Sequence, residues 1–481
     1  MKTRVLFLFL VALLLGVSLC GCQTAALGLS GPITESSPSE VLSLELPGPD
    51  LPDLETLLQY TSLQQLDARN VKLTVSEYEQ LKKDLPNCEI LWRVPFQGNY
   101  MDPETTELTI SELSADDLKS IACFPYLEHI NAEGCHDYEQ LLTLEEMFPN
   151  TSVYYTIPLG GMTYSNGAAR QICYLELWNA DASELTELLP YFTNVNEVRF
   201  IGTAPANDDI YALMCQYPEI AFKWDLTLFG ITTPNTASTL ILSGIPMADT
   251  TELESYLKYF TNLERVEVCD CGLSSEEMDA LSQCYPDIRF VWTVKVGYGT
   301  LRTDTMAFIP YKFGNNIHHP LYDRDCTELK YCVDMVCLDM GHMKVKDFSF
   351  LANMPKLKYL IVADTPCKDF SALANLKELI YLEIFVTDFT QHELLLELTA
   401  LQDLNLGTTP MNDVTVLKQM TWLKRLWIPG TKINRVQLQE LYDTLPNTKI
   451  VYYAEHSTDR GWRNHQNYRD MRDLLGMFYM K

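Results

Sequence analysis

Histidine, glycine, proline and basic residues are all in short supply in this chain. Eight histidines are scattered over 481 residues, too dispersed to suggest a nucleophile-activating triad. The adjacent His318 and His319 point their rings apart, and no Cys or acid follows at ligand spacing, so neither a metal nor another cofactor is expected. With only 22 Gly and 24 Pro, the chain is an ordered protein rather than a low-complexity polymer. Lys and Arg number 36 against 64 Asp and Glu, for a net charge of −28. Such a surface argues against nucleic acid or anionic lipid as partners. At that density of acids, pairs such as Asp208-Asp209 mark no catalytic dyad. There is no G-x-S-x-G, no H-E-x-x-H, no G-x-x-x-x-G-K and no dinucleotide-binding glycine fingerprint, so no enzyme activity is expected. Beyond the N-terminal segment, no apolar run is long enough to cross a bilayer.

Cysteine, by contrast, is plentiful at 14 residues, yet no pair has C-x-x-C spacing, and Cys269-Asp270-Cys271 is too tight for a zinc or redox site. Cys135 and Cys271 fall eight residues after Leu127 and Leu263, where a repeat rung buries a small residue. Cys123, Cys215 and Cys284 lie in helical patterns. Mostly reduced thiols packed as small hydrophobes are expected, with one or two bridges left open.

What is abundant is repetition. Over residues 325–434 one phrase returns every 22 residues: LKYLIV from Leu357, LIYLEI from Leu379, LQDLNL from Leu401 and LKRLWI from Leu423. Thr365, Thr387, Thr409 and Thr431 follow in step, and Met335, Leu338, Met340 and Met343 fit one period earlier. The connecting segments DFSFLANM, DFSALANL and DVTVLKQM repeat as well. A fixed period with LxxLxLxx defines an α/β leucine-rich repeat solenoid, with parallel strands on the concave face and helices on the convex face.

The N-terminal half carries a longer period. PNCEILWRV, PNTSVYYTI, PEIAFKWDL and PDIRFVWTV begin at Pro86, Pro149, Pro218 and Pro286. Two further strand phrases lie within each block, so the long period resolves into three rungs. Strand centres are expected near residues 66, 90, 109, 130, 153, 175, 198, 222, 241, 266 and 290. Period-two alternation turns Ile90 and Trp92, Val153 and Tyr155, Phe222 and Trp224, and Phe290 and Trp292 inward, as core. SADDLKSIACF and SSEEMDALSQC open with Ser and acids, as helix starts do.

The N-terminus has Lys2 and Arg4 before an apolar run over residues 5–19, the pattern of an export signal. The following Leu19-Cys20-Gly21-Cys22 resembles the lipobox of bacterial lipoproteins. That resemblance implies cleavage before Cys22, a diacylglyceryl group on its sulfur, and an extracytoplasmic protein anchored to the membrane. The expected organisation is a signal peptide (1–21), a flexible tether (22–41), a degenerate repeat solenoid (42–297), an insertion or junction (298–324), regular 22-residue repeats (325–453) and a C-terminal cap (454–481). In that cap, Tyr468, Met471, Leu475 and Phe478 have helical spacing. The phrase DFSALANL…LIYLEI is similar to internalin-type repeats, although Thr stands where those carry Asn. The whole arrangement resembles repeat lipoproteins of gut clostridia.

In LxxLxL the leucines point inward, so the residues between them line the strand face. They form the columns Tyr359, Tyr381, Asp403, Arg425; Ile361, Glu383, Asn405, Trp427; and Ala363, Phe385, Gly407, Pro429. Aromatics beside an Arg are what binding hot spots favour. Tyr359, Ile361, Tyr381, Glu383, Phe385, Asp403, Asn405, Arg425 and Trp427 are therefore the candidate site for a protein or glycan partner. A self-associating envelope scaffold is the alternative use of the same face, and an exported hydrolase centred on 298–324 is the weakest reading.

Overall fold

The computed structural model describes residues 38–477 together with a short strand, Thr24–Ala26. The export signal, Cys22 and Phe478 lie outside the described residues. The chain forms two compact units, Met1–Phe222 and Lys223–Lys481. Each is a leucine-rich repeat solenoid in which one strand per rung pairs in parallel with the next. All eleven strand centres read from the N-terminal pattern fall inside observed strands. Within the expected tether, Thr24–Ala26 pairs in parallel with Ser43–Glu45. A first strand leaves one row of backbone donors and acceptors open, and this segment fills it.

In the first unit the rungs return through α-helices such as Val75–Asp84, Ala115–Ile121 and Tyr138–Met147. Thr74 and Ser114 close capping boxes with Glu77 and Asp117, each satisfying orphan amides of the first turn. The inward aromatics are core as expected: Trp92, Tyr155 and Phe222 are buried here, and Phe290 and Trp292 in the second unit.

Sequence reading missed one device. After every third strand the chain makes an antiparallel hairpin: Val94–Phe96 with Asn99–Met101, Thr156–Leu159 with Met162–Ser165, and Asp225–Leu228 with Ile231–Pro234. Their two-residue turns, Gln97-Gly98, Gly160-Gly161 and Phe229-Gly230, have positive φ at both positions, the geometry that matches strand twist. A fourth hairpin joins Arg289–Val296 to Gly299–Arg302. The hairpins divide the strands into successive short sheets. Eleven residues after Tyr155, Trp224 and Trp292 stand Asn166, Asn235 and Thr303, all buried. Each amide donates to the carbonyl of its aromatic partner, at 3.0, 2.9 and 2.9 Å.

The stretch 298–324 is accordingly not a rhythmless insertion. It completes the fourth hairpin, and just beyond that Ala307–Phe308 becomes the first strand of a seven-stranded parallel sheet. That sheet continues through Cys337–Asp339, Tyr359–Ile361, Tyr381–Glu383, Asp403–Asn405, Arg425–Trp427 and Lys449–Val451. Its leucines at 357, 360, 379, 382, 401, 404, 423 and 426 form one continuous core with Phe348, Phe370 and Phe389.

The outer face of these regular rungs differs from expectation. Ser349–Asn353, Ser371–Asn375 and His392–Glu397 are short 3-10 turns rather than α-helices. The rung is short, and the tighter helix rises further per residue. Asp347 and Asp369 precede the first two of these turns, and Asp413 a further one at Leu417–Gln419, each accepting the amide two residues on, at 2.8, 2.9 and 2.9 Å. The Thr ladder satisfies turn backbone instead. The Thr365, Thr387, Thr409 and Thr431 hydroxyls donate to the carbonyls three residues back, at 2.8, 2.6, 2.7 and 2.9 Å. All twelve cysteines in the described residues are free thiols, but Cys215 and Cys284 are exposed rather than packed.

Candidate functional site

The parallel register brings the nine expected residues together. Tyr359, Tyr381, Asp403 and Arg425 stand side by side on successive strands, as do Ile361, Glu383, Asn405 and Trp427. Phe385 lies just beyond. The expectation that they are exposed does not hold. All nine are buried, and Glu383, Asp403, Asn405, Tyr381 and Trp427 are each 0% exposed.

The cause is the C-terminal segment, which folds back across the strand face instead of only closing the last rung. Trp462 lies fully buried between Tyr381 and Trp427, with ring centroids 5.2 and 5.0 Å away. Tyr468, Met471 and Leu475, on the helix Gln466–Leu474 and just after it, join Tyr359, Ile361, Phe385 and Cys337 in a second apolar cluster. Their helical spacing is that expected of a cap; what these three residues cover is the face of the sheet.

Polar contacts fix the segment in register. The Trp462 indole donates to Glu383 Oε1 at 2.7 Å, and the Arg463 guanidinium grips both Glu383 oxygens at 3.1 and 2.6 Å. The Tyr381 hydroxyl also donates to Glu383. Arg425 makes a two-pronged pair with Asp403 at 2.8 and 2.7 Å and donates its third nitrogen to the Trp462 carbonyl at 2.9 Å. Asn467 Nδ2 reaches Asp403 at 2.8 Å, Trp427 Nε1 reaches the Asp459 carbonyl at 3.0 Å, and Asn405 Nδ2 reaches the Ser457 carbonyl at 2.8 Å. Paired, hydrogen-bonded charges are the form in which carboxylates tolerate burial.

Burial leaves its mark on the titratable groups around this closure. Desolvation and the nearby Glu383 push the Tyr381 phenol well above its ordinary value. Desolvation raises Asp339, on the strand beside Tyr359–Ile361, to about 6 against the opposing Gly341 amide. It also lowers His465, despite the adjacent Asp403 carboxylate.

The first unit presents its strand face differently. There Tyr154 is 45% exposed, Tyr174 43% and Trp178 59%. Alternation along Tyr174–Trp178 turns Leu175 and Leu177 inward and leaves Tyr174, Glu176 and Trp178 outside. Parallel pairing sets Trp178 beside Ile201, Glu176 beside Arg199 and Tyr174 beside Glu197. His129 and Asn131 are likewise exposed on their strand, and Asn131 pairs with Tyr154 in register. The phrase YLELWN carried this signal, since a strand with Leu on one face must offer its aromatics on the other.

No known protein-family profile matches the chain, and no curated protein does. Among solved structures it is similar to an internalin from Listeria monocytogenes at 16% identity, covering 74% of this chain and 84% of that one, with a TM-score of 0.27. A leucine-rich repeat protein of Leptospira interrogans matches at 13% identity over 86% and 96% of the two chains, TM-score 0.28. The ectodomain of an Arabidopsis thaliana membrane receptor kinase, solved with a bound factor, matches at 12% over 85% of this chain and 43% of its own, TM-score 0.23. With TM-scores this low, the fold assignment rests on the chain's own strands and registers.

Proposed function

We propose that this is an extracytoplasmic binding protein, held at the membrane by a lipid on Cys22, that recognises a protein partner through the strand face of its first unit. It is read as a recognition module and not an enzyme. The observation that carries this is the exposure of Tyr174 and Trp178 on one strand, with Tyr154 also exposed on an earlier strand, and with Glu176 and Arg199 neighbours in register on the same face. A few Trp, Tyr and Arg side chains supply most of the energy in protein interfaces. An exposed apolar patch on a strand face is also the kind of surface that a soluble protein keeps for a purpose.

The test has two arms. Intact mass and membrane partition of the expressed chain, beside Cys22→Ser, should show a diacylglyceryl mass and membrane retention only for the wild type. Capture from envelope and surface fractions should retain a defined protein that Tyr174→Ala with Trp178→Ala loses by about tenfold or more, the scale of two hot-spot truncations. Unchanged capture by that double variant overturns the site. A concentration-dependent oligomer broken by the same substitutions would favour the scaffold reading instead.

A further inference from the structure

In the second unit the C-terminal segment covers the strand face. We infer that the strand face formed by Tyr381, Glu383, Asp403, Arg425 and Trp427 is a peptide-binding site, filled in cis by residues 457–475, and that it accepts in trans a polypeptide segment presenting an indole next to a guanidinium.

Three observations carry this beyond the open face of the first unit. First, the docked tail adds to its apolar cluster a set of specific polar anchors of the kind found at interfaces. Glu383 meets the Trp462 indole and the Arg463 guanidinium, and Arg425 meets the Trp462 backbone carbonyl. Arg425 also lies over the Trp462 ring at 4.5 Å. A face meant only to be sealed would be served by more Leu and Ile, as on the inner side of the same strands. Second, the uncovered face is physically tolerable. Two carboxylates, an amide, a phenol and a guanidinium can all be rehydrated, so opening would not bare a purely apolar surface. Arg425 and Asp403 would stay paired within the sheet, ready for an incoming ligand. Third, the occupant is local and separable. It is one segment beyond the last strand, Lys449–Val451, and it leaves that strand through exposed Tyr453. Its ligand-like elements are few and lie within seven residues: Trp462, Arg463, Asn467 and Tyr468.

The cis segment then sets an affinity threshold. A trans ligand binds only the fraction of molecules whose tail is away, so weakening the tail tightens apparent binding in proportion. The probe is a fluorescently labelled synthetic peptide of residues 456–477, titrated by anisotropy against the full chain. The wild type should bind it weakly. The full chain carrying Trp462→Ala and Arg463→Ala should bind about tenfold more tightly or better, and adding Glu383→Gln should remove the gain. Hydrogen exchange on the wild type gives a readout independent of any variant. Amides of residues 466–475 should exchange about tenfold or more faster than those of strands Tyr381–Glu383 and Asp403–Asn405, as a separately opening element does. The inference is overturned if the folded double variant fails to bind the peptide. It is equally overturned if that variant cannot fold, or if tail and strands exchange only together, since the tail would then be an inseparable part of the core. Tyr174 and Trp178 are untouched throughout, so failure here leaves the first-unit face to its own test.

Discussion

Val386 offers a sharp test of the rung geometry, because its substitution should stabilise the protein. In each regular rung one residue after the strand adopts the left-handed conformation. These are His342, Asp364, Val386, Thr408 and Gly430, at φ of 64, 53, 57, 56 and 69°. That conformation sets an L-residue back by roughly 1–2 kcal/mol, and a β-branched side chain is the least suited to it. The turn cannot relax to avoid the strain, because the Val386 amide donates to the Gly407 carbonyl at 2.9 Å. Val386 is also 40% exposed, so its apolar contact is worth only about 0.5 kcal/mol. Replacement by Asn, which tolerates the left-handed region, should gain about 1 kcal/mol net. Val386→Ala keeps the Cβ and most of the strain while losing the contact, and should be close to neutral. Gly430→Val should lose about 2 kcal/mol by adding the same strain where none exists. Urea unfolding of the full chain, following the transition of the second unit, distinguishes the three. If Asn at 386 is no better than Ala, strain at this position is not what the dihedral implies.

Other consequences are as direct. Arg302 and Arg265 hold Asp304 at about 2. With its folded value below the unfolded one, Asp304 stabilises fully above about pH 4 and loses that contribution as pH falls through 2, roughly 2 kcal/mol in all. Unfolding measured against pH should show the gap between wild type and Asp304→Asn closing over that window, and a constant gap would reject it. Thr387→Val removes the hydroxyl donated to the Ile384 carbonyl and should destabilise by about 1 kcal/mol, read in the same urea assay. Leu404→Ala opens a cavity in the continuous core and should lose about 2–5 kcal/mol. Tyr174→Ala with Trp178→Ala should instead lower the melting temperature far less than Leu404→Ala, because both side chains are exposed.

The strand positions were legible because a rung writes its own inside and outside. Leu360, Leu382, Leu404 and Leu426 recur at one spacing, and the core requires each of them. The inward Trp92, Trp224 and Trp292 followed from alternation alone. The hairpins were less visible. Their turn pairs Gln97-Gly98 and Phe229-Gly230 are weaker signals than Asn-Gly, and a hairpin that departs from the ladder leaves the rung count unchanged. The 3-10 turns were missed because DFSALANL has the apolar spacing of a helix, while the room left in a 22-residue rung is settled by the strand pitch.

The misjudged exposure of the second-unit face has a different origin. Alternation says which side of a strand a residue leaves by, but not what else lies on that side. Tyr381 and Trp178 are both outward residues by the same local rule, yet one is sealed and the other open. The difference is set by a segment eighty residues from Tyr381 in the chain, and no periodicity reaches that far. A weaker clue was present in the chemistry. Glu383 and Asp403 among aromatics make poor shielding for a sheet, but good anchors for an indole and a guanidinium. Trp462 and Arg463 stand together in the tail, and Asn467 and Tyr468 follow where a helix returns to the same side. Matching donors in one segment to acceptors in another could have suggested the closure from sequence. It would not have said whether the closure is permanent, because that depends on the free energy of one docked segment rather than on any pattern.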